Sequence, residues 1–283
     1  MSEKKIAIQG VEGCYHDSAA RRFFSDDDIQ IVEFDTFPGM VAAIDADPSL
    51  QGIMAIENTI AGSLLQNLEL IHTHNIRIVG EHKMRISHSL AALPGQEISD
   101  IKEVNSHPMA LMQCEEFLQS HPTMKIIEKA DTAGSAKEIA EKNLMGHAAV
   151  CSEYAASIYG LNVLASGIET NSHNFTRFLI LKPFSSTGIS DYEDSDADKA
   201  SIVFTLPHNQ GALSKVLTIL AFYDLNLTKI QSFPILGHEW EYKFYVDLTF
   251  NDYSRYRQAL EAAKPLTSRF KILGEYQECK IKI

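Results

Sequence analysis

The sequence predicts an α/β protein in two parts: a larger region of two α/β lobes, then a small α+β domain. Three observations carry that prediction. Short apolar runs alternate with amphipathic stretches from Lys5 to about Pro183, the pattern of strands joined by crossover helices. Residues 185–199, which begin SSTGISDYEDSDAD, are polar, acidic and nearly free of large aliphatic side chains, as a solvated linker is. Beyond them, strictly alternating apolar positions replace the continuous runs, the mark of strands with one covered face. A chain of 283 residues has room for about two domains, each with its own core.

In the first lobe, strands are expected at Lys5–Gln9, Gln30–Phe34, Gly52–Ile56 and Ile76–Val79, with helices at Ser18–Phe24, Gly39–Ala46 and Leu64–Thr73. A second series follows, with strands at Arg85–Leu93, Ile101–Asn105, Lys125–Glu128 and Ala148–Val150. Helices at Met109–Leu118, Ser135–Lys142 and Ser152–Tyr159 separate these, and Phe175–Leu181 closes the region as a strand. Two such sets suggest a two-lobed, periplasmic-binding-protein-like architecture with a ligand cleft between lobes. After the linker, Ser201–Leu206 places Ile202, Phe204 and Leu206 on one strand face. Gly211–Asp224 is amphipathic at helical spacing, and Leu225–Ser232 is a second strand. After a Gly237-His238 turn, Trp240, Tyr242, Phe244, Val246, Leu248 and Phe250 alternate with Glu241, Lys243, Tyr245 and Asp247. A helix at Ser254–Lys264 and a strand at Phe270–Tyr276 complete the order βαββαβ, the ferredoxin-like layout of an antiparallel sheet backed by helices.

A net charge of −12 disfavours nucleic acid and anionic membranes as partners, and no run approaches the ~18 apolar residues of a membrane helix. The opening run Ile6-Ala7-Ile8 is too brief for a signal-peptide core. Cys14, Cys114, Cys151 and Cys279 are scattered without a CxxC pair, so neither a disulfide framework nor a zinc site is expected, and a reducing cytoplasm is. His72 and His74 do not face each other on a helix, and Asp26-Asp27-Asp28 reads as a solvated turn. The glycines near Gly10 and Gly13 lack the Lys-Ser/Thr of a phosphate loop.

Strand geometry puts Asn174, Thr176 and Phe178 on one face and Phe175, Arg177 and Leu179 on the other. Arg177 then supports a cleft on the Thr176 side by pairing with an acid such as Glu57, or by reaching round to a carboxylate. Donors for an anion are expected at helix starts: Asn58, Thr59, Gly62 and Ser63 before the Leu64 helix, Thr132 and Ala133 at another, and Ser152 at a third. Each is equally well read as a helix cap. Ser106-His107-Pro108 also opens a helix, and His107 either meets a ligand or orders its loop. In the last domain, the loop His208-Asn209-Gln210 leads into Gly211-Ala212-Leu213, where a glycine either admits a carboxylate to the helix N-terminus or makes a tight turn.

The run Asn174-Phe175-Thr176-Arg177-Phe178 resembles prephenate dehydratase, as do Ile56-Glu57-Asn58-Thr59, Ser106-His107-Pro108, Gly10–Tyr15, Asp131-Thr132-Ala133 and Tyr159-Gly160-Leu161. They cover nearly the whole chain in the family's order. His208–Leu213, with Ile230-Gln231-Ser232 and Pro234, resembles the ACT domain of phenylalanine-regulated enzymes, although Ser214, Gln231 and Phe233 depart from its pattern. The resemblance implies a catalytic region at 1–184, a linker at 185–199 and an ACT domain at 200–283. It implies conversion of prephenate to phenylpyruvate with loss of carbon dioxide and water, without metal or organic cofactor, in phenylalanine biosynthesis. Thr176 takes the catalytic role. Glu57, Asn58, Thr59, Gly62, Ser63, Ser106, His107, Thr132, Ala133, Ser152, Asn174, Arg177 and Phe178 bind substrate. L-Phenylalanine is the implied allosteric inhibitor, held by His208, Asn209, Gln210, Gly211, Ala212, Leu213, Ile230, Gln231 and Ser232 in a homodimer paired through ACT domains, or in a homotetramer. Gly13-Cys14-Tyr15-His16-Asp17 stands where the family reads Gly-Ser-Tyr-Ser-His, so no catalytic proton is assigned to His16 or Asp17. Two other readings are an arogenate dehydratase, which takes the aminated analogue, and a non-catalytic ligand sensor.

Overall fold

The triplet Ile6-Ala7-Ile8 is wholly buried and forms the centre of strand β1 (Lys4–Gln9). The computed structural model describes residues 3–184, 196–235 and 241–280. After β1 come α1 (Tyr15–Phe23), β2 (Ile29–Phe34), α2 (Phe37–Ala46), β3 (Leu50–Asn58), β4 (Gly62–Ser63), α3 (Leu65–Thr73) and β5 (Ile76–Arg85). The second series is β6 (Ser89–Ala92), β7 (Glu103–Ser106), α4 (Pro108–Gln113), α5 (Glu115–Gln119), β8 (Lys125–Glu128), α6 (Thr132–Glu141), β9 (His147–Cys151), α7 (Glu153–Ile158), β10 (Asn162–Ser166) and β11 (Phe175–Pro183). The last is β12 (Lys199–Thr205), α8 (Ala212–Phe222), β13 (Asn226–Pro234), β14 (Tyr242–Thr249), α9 (Tyr253–Ala263) and β15 (Arg269–Tyr276). The expected linker lies outside the described residues at 185–195, as do the Gly237-His238 turn and Trp240.

The chain divides into two compact units. The first takes residues up to Ala43, Ser49–Leu64 and His82–Phe178; the second takes Ile44–Pro48, Leu65–Glu81 and the chain from Leu179.

The first unit holds two sheets. In one, β1 lies between β2 and β3 and runs parallel to both, as helical crossovers require, with β11 beyond β3 and β5 beyond β11. The other has the order β10-β6-β9-β7-β8, with Leu90, Val104, Leu111, Cys114 and Val150 in its core. Two expected elements are broken. The strand foreseen at Arg85–Leu93 is interrupted between β5 and β6, because the Ile86 N–H goes to the Asn174 carbonyl (2.8 Å) and the His88 N–H to the Glu169 carboxylate (2.9 Å). The helix foreseen at Met109–Leu118 splits at Cys114. There the Gln113 carbonyl accepts the Thr170 N–H at 2.8 Å, and the Glu116 N–H donates to Thr170 Oγ1 at 3.3 Å.

The second unit contains the sheet β13-β14-β12-β15, antiparallel throughout, with the Ile76–Glu81 part of β5 beside β15. A Cβ on Gly274 would collide with the Ile78 carbonyl at that junction. The element order is βαββαβ. Helices α8 and α9 cover one face, packing Val216, Leu220, Tyr256 and Leu260 on Ile202, Phe204, Val246 and Leu248. The alternation of β14 suggested that the opposite face meets solvent. Instead Lys243, Tyr245 and Asp247 are buried, the first two with a partner on α3 and the third with one on β12. Glu69 accepts both Lys243 Nζ (2.7 Å) and the Tyr245 hydroxyl (2.5 Å), while Lys199 Nζ meets Glu81 at 3.0 Å. Ser201 Oγ donates to Asp247 Oδ1 at 2.5 Å and lies 2.7 Å from the Tyr276 hydroxyl. Charges buried this way are tolerated only because each is bonded.

Candidate active site

Strands β3 and β11 are neighbours, so the end of one brings Asn58 against the beginning of the other. The Thr59 N–H donates to the Phe175 carbonyl at 2.9 Å, and the Phe175 N–H returns a bond to Thr59 Oγ1 at 3.0 Å. This clamp fixes Asn58. Its Oδ1 accepts the backbone N–H groups of Ile60 and Ala61, each at 2.9 Å, so its amide can point only one way. Asn58 Nδ2 therefore donates to Asn174 Oδ1 (2.7 Å) and to Thr176 Oγ1 (2.9 Å), with the Phe175 carbonyl at 3.2 Å. The Thr176 oxygen is thus an acceptor towards Asn58, and its own hydrogen is left for a ligand.

The same direction propagates inward. Asn174 Nδ2 donates to Gln113 Oε1 at 2.9 Å, so that oxygen must also accept from His88 Nε2 at 2.8 Å. The proton of neutral His88 is thereby placed on Nε2, and its Nδ1 faces the Tyr15 hydroxyl at 2.8 Å. Tyr15 stands equally close, 2.8 Å, to the Ser87 carbonyl. Two backbone N–H groups thus orient a chain of five polar side chains.

This chain borders a cleft of about 310 Å³, within the range of small-molecule sites and formed wholly by the first unit. Asn58, Thr176, Phe178, His107 and Thr132 line it, together with Tyr15, His16, His88, Gln113 and Asp131. His16 lies edge-on to Phe37 and Phe178, and burial lowers its pKa to about 4, so it is neutral. Burial also lowers His88, against the opposing pull of Gln113 and Glu169, and raises the Tyr15 hydroxyl well above its usual range. Cys14 is pushed up to about 12 by burial and remains a thiol. Asp131 is raised by burial even though it accepts the Gly134 N–H at the start of α6.

The remaining expected site residues stand elsewhere. Asn174 is fully buried beneath the cleft and reaches it through Asn58. Arg177 points to the other strand face, with Nη1 3.9 Å from Glu57 Oε2. Gly62 and Ser63 pair with Asn58 and Glu57 as β4, and Thr59 forms the clamp. Ser106 is buried and donates to the Val150 carbonyl at 2.6 Å. Ser152 caps α7 and donates to the Gly13 carbonyl at 3.2 Å, and Ala133 is buried in α6. Ser106 and Ala133 face their own lobe's packing, whereas Ser152 reaches Gly13 of the first lobe as well as capping its helix. His107 caps α4 through Nδ1 and also lines the cleft. Motif reading missed His88, Gln113 and Asp131 as cleft residues. Gln113 carried a signal as the one polar side chain of the run Met109–Cys114, whereas His88, between Ser87 and Ser89, carried none.

The second unit carries a separate cavity of about 330 Å³, lined by His208, Asn209, Gln210, Ala212 and Leu213 with Tyr242 and Phe244. Gly211 caps α8 at φ 73, a left-handed conformation that favours glycine. Ile230, Gln231 and Ser232 lie on the edge strand β13, outside that cavity's lining.

Residues 6–185 match the family model described as prephenate dehydratase. The chain is 37% identical to arogenate dehydratase/prephenate dehydratase 2, chloroplastic, of Arabidopsis thaliana, over 97% of this chain and 73% of that protein. It is 32% identical to the bifunctional chorismate mutase/prephenate dehydratase of Aquifex aeolicus, over 98% and 75% respectively. Among solved structures, prephenate dehydratase in complex with L-Phe from Arthrobacter aurescens superposes with a TM-score of 0.85 at 29% identity, covering 97% of this chain and 90% of that one. GqqA, described as a novel type of quorum quenching acylase, superposes with a TM-score of 0.86 at 27% identity over 98% of both chains. The chain belongs to the prephenate dehydratase family.

Proposed function

We propose that the chain converts prephenate to phenylpyruvate and is inhibited by L-phenylalanine through a C-terminal ACT domain. The observation that carries the reading is the free hydrogen of Thr176 at the cleft, left over once Asn58 has occupied the oxygen. In the reaction the bond to the ring carboxylate breaks, carbon dioxide leaves, and its electron pair enters the ring. The ring hydroxyl then departs and takes up one proton from solvent to become water. Aromatisation drives the change, so the protein must orient the substrate and stabilise the leaving oxygen. Thr176 donates a hydrogen bond to that oxygen, which is worth most as negative charge develops on it. His16 and Phe178 give the cleft an apolar wall, where such a bond gains strength.

The regulatory part of the reading is supported by the βαββαβ order, the cavity beside Gly211 and the L-Phe held by the Arthrobacter relative. A homodimer paired through this domain belongs to the same proposal. The test is to incubate the full chain with prephenate and with arogenate, following phenylpyruvate and phenylalanine, with and without added L-phenylalanine. Turnover of prephenate that falls as L-phenylalanine rises is expected. Absence of turnover of either compound would overturn the catalytic reading, and turnover indifferent to L-phenylalanine would overturn the regulatory one. Arogenate is a second reading, favoured by the carboxylate that the cleft contains.

A further inference from the structure

Prephenate and arogenate differ at one position of the side chain, a keto oxygen in the first and an ammonium in the second. Both carry two carboxylates, so prephenate is a dianion and arogenate has a single net negative charge. The cleft is unusual for a dianion site. Among its described lining residues there is no lysine or arginine, and the one carboxylate is Asp131. An anion facing a dianionic ligand opposes binding, whereas an anion facing an ammonium favours it.

The placement of Asp131 fits a cation. Its Oδ1 accepts the Gly134 N–H at 2.6 Å, which holds the side chain at the head of α6. Its Oδ2 packs against Gly10, where a Cβ would stand 3.2 Å from that oxygen and 3.1 Å from Cys14 Sγ, so glycine at this position lets the carboxylate take its place at the cleft. Two titratable groups stand near: Glu33 on β2, whose charge opposes that of Asp131, and His107 at the start of α4, whose Nδ1 accepts the Met109 N–H. Burial makes the carboxylate costly while it stands alone, a cost that a cationic partner removes.

We propose that Asp131 receives the ammonium group of arogenate and is the residue that admits the aminated substrate alongside prephenate. This inference rests on the dehydratase reading above. Asp131→Asn tests it, because asparagine keeps an oxygen for the Gly134 N–H and is itself a good helix cap. The quantity to measure is the ratio of kcat/KM for arogenate to kcat/KM for prephenate in one preparation of the full chain. Loss of a buried charge partner lowers that ratio by about 30-fold or more. A ratio shifted by less than about threefold would overturn the proposal, since a capping role or a general-acid role moves both substrates together. Wild-type enzyme active on prephenate but inert to arogenate would also overturn it while leaving the dehydratase reading intact. Activity on neither compound would remove that reading itself.

Discussion

Replacing Thr176 with alanine separates the chemistry of the cleft from its architecture. The side chain is 8% exposed, and the substitution removes a hydroxyl and one methyl. Asn58 Nδ2 has two hydrogens and three acceptors within reach, Asn174 Oδ1 at 2.7 Å, Thr176 Oγ1 at 2.9 Å and the Phe175 carbonyl at 3.2 Å. Without Thr176 both hydrogens still find acceptors, so no buried donor is orphaned. The stability cost is then mainly the lost methyl, about 1 kcal/mol. The catalytic cost is that of a donor meeting developing charge, about 100- to 1000-fold in kcat. Thr176→Ser restores the hydroxyl and returns activity to within about tenfold of wild type. Urea denaturation and steady-state turnover on the same preparations give both quantities. A kcat for Thr176→Ala within tenfold of wild type, or a serine variant as inactive as alanine, would refute the donor role. A stability loss above about 3 kcal/mol would refute the bond accounting.

Two further outcomes follow from the polar chain and its surroundings. Gln113→Leu removes the oxygen shared by His88 Nε2 and Asn174 Nδ2, leaving two buried donors without it. The expected loss is about 2–5 kcal/mol, read as a lower urea midpoint. His16, with a folded-state pKa of about 4 against an ordinary 6.5, binds its proton less readily folded than unfolded. Its contribution to stability is therefore complete above pH 6.5 and is lost as pH falls towards 4, a total of about 3 kcal/mol. An NMR titration should show His16 neutral at pH 5.5, and a midpoint at or above 6 would contradict the burial argument.

Local pattern carried much of the fold. Strands β1, β2 and β3 and the βαββαβ order of the second unit were legible because each rests on its own alternation or apolar run. What escaped depends on residues far apart in sequence. The break after Arg85 is made by Glu169, whose carboxylate burial tends to raise and which bonds from His88, Ser87 and Arg85 hold below its ordinary range. The buried polar face of β14 exists because Glu69 arrives from a segment more than 170 positions earlier. At the cleft, Asn58 and Thr176 were legible from short motifs. Gln113 and His88 were not, because their role lies in the direction of hydrogen bonds between separate elements.

The partners of the Lys199 and Lys243 ammonium groups set a limit on how this protein can be recombined. Glu69 and Glu81, which neutralise them, come from Leu65–Glu81, upstream of most of the first unit's sequence. A chimera that exchanged only residues 196–280 with a relative would carry both lysines away from Glu69 and Glu81, leaving Lys199 with Glu278 at 3.8 Å. The second unit is discontinuous in sequence, and a graft that keeps these charges paired must carry Leu65–Glu81 together with the C-terminal segment.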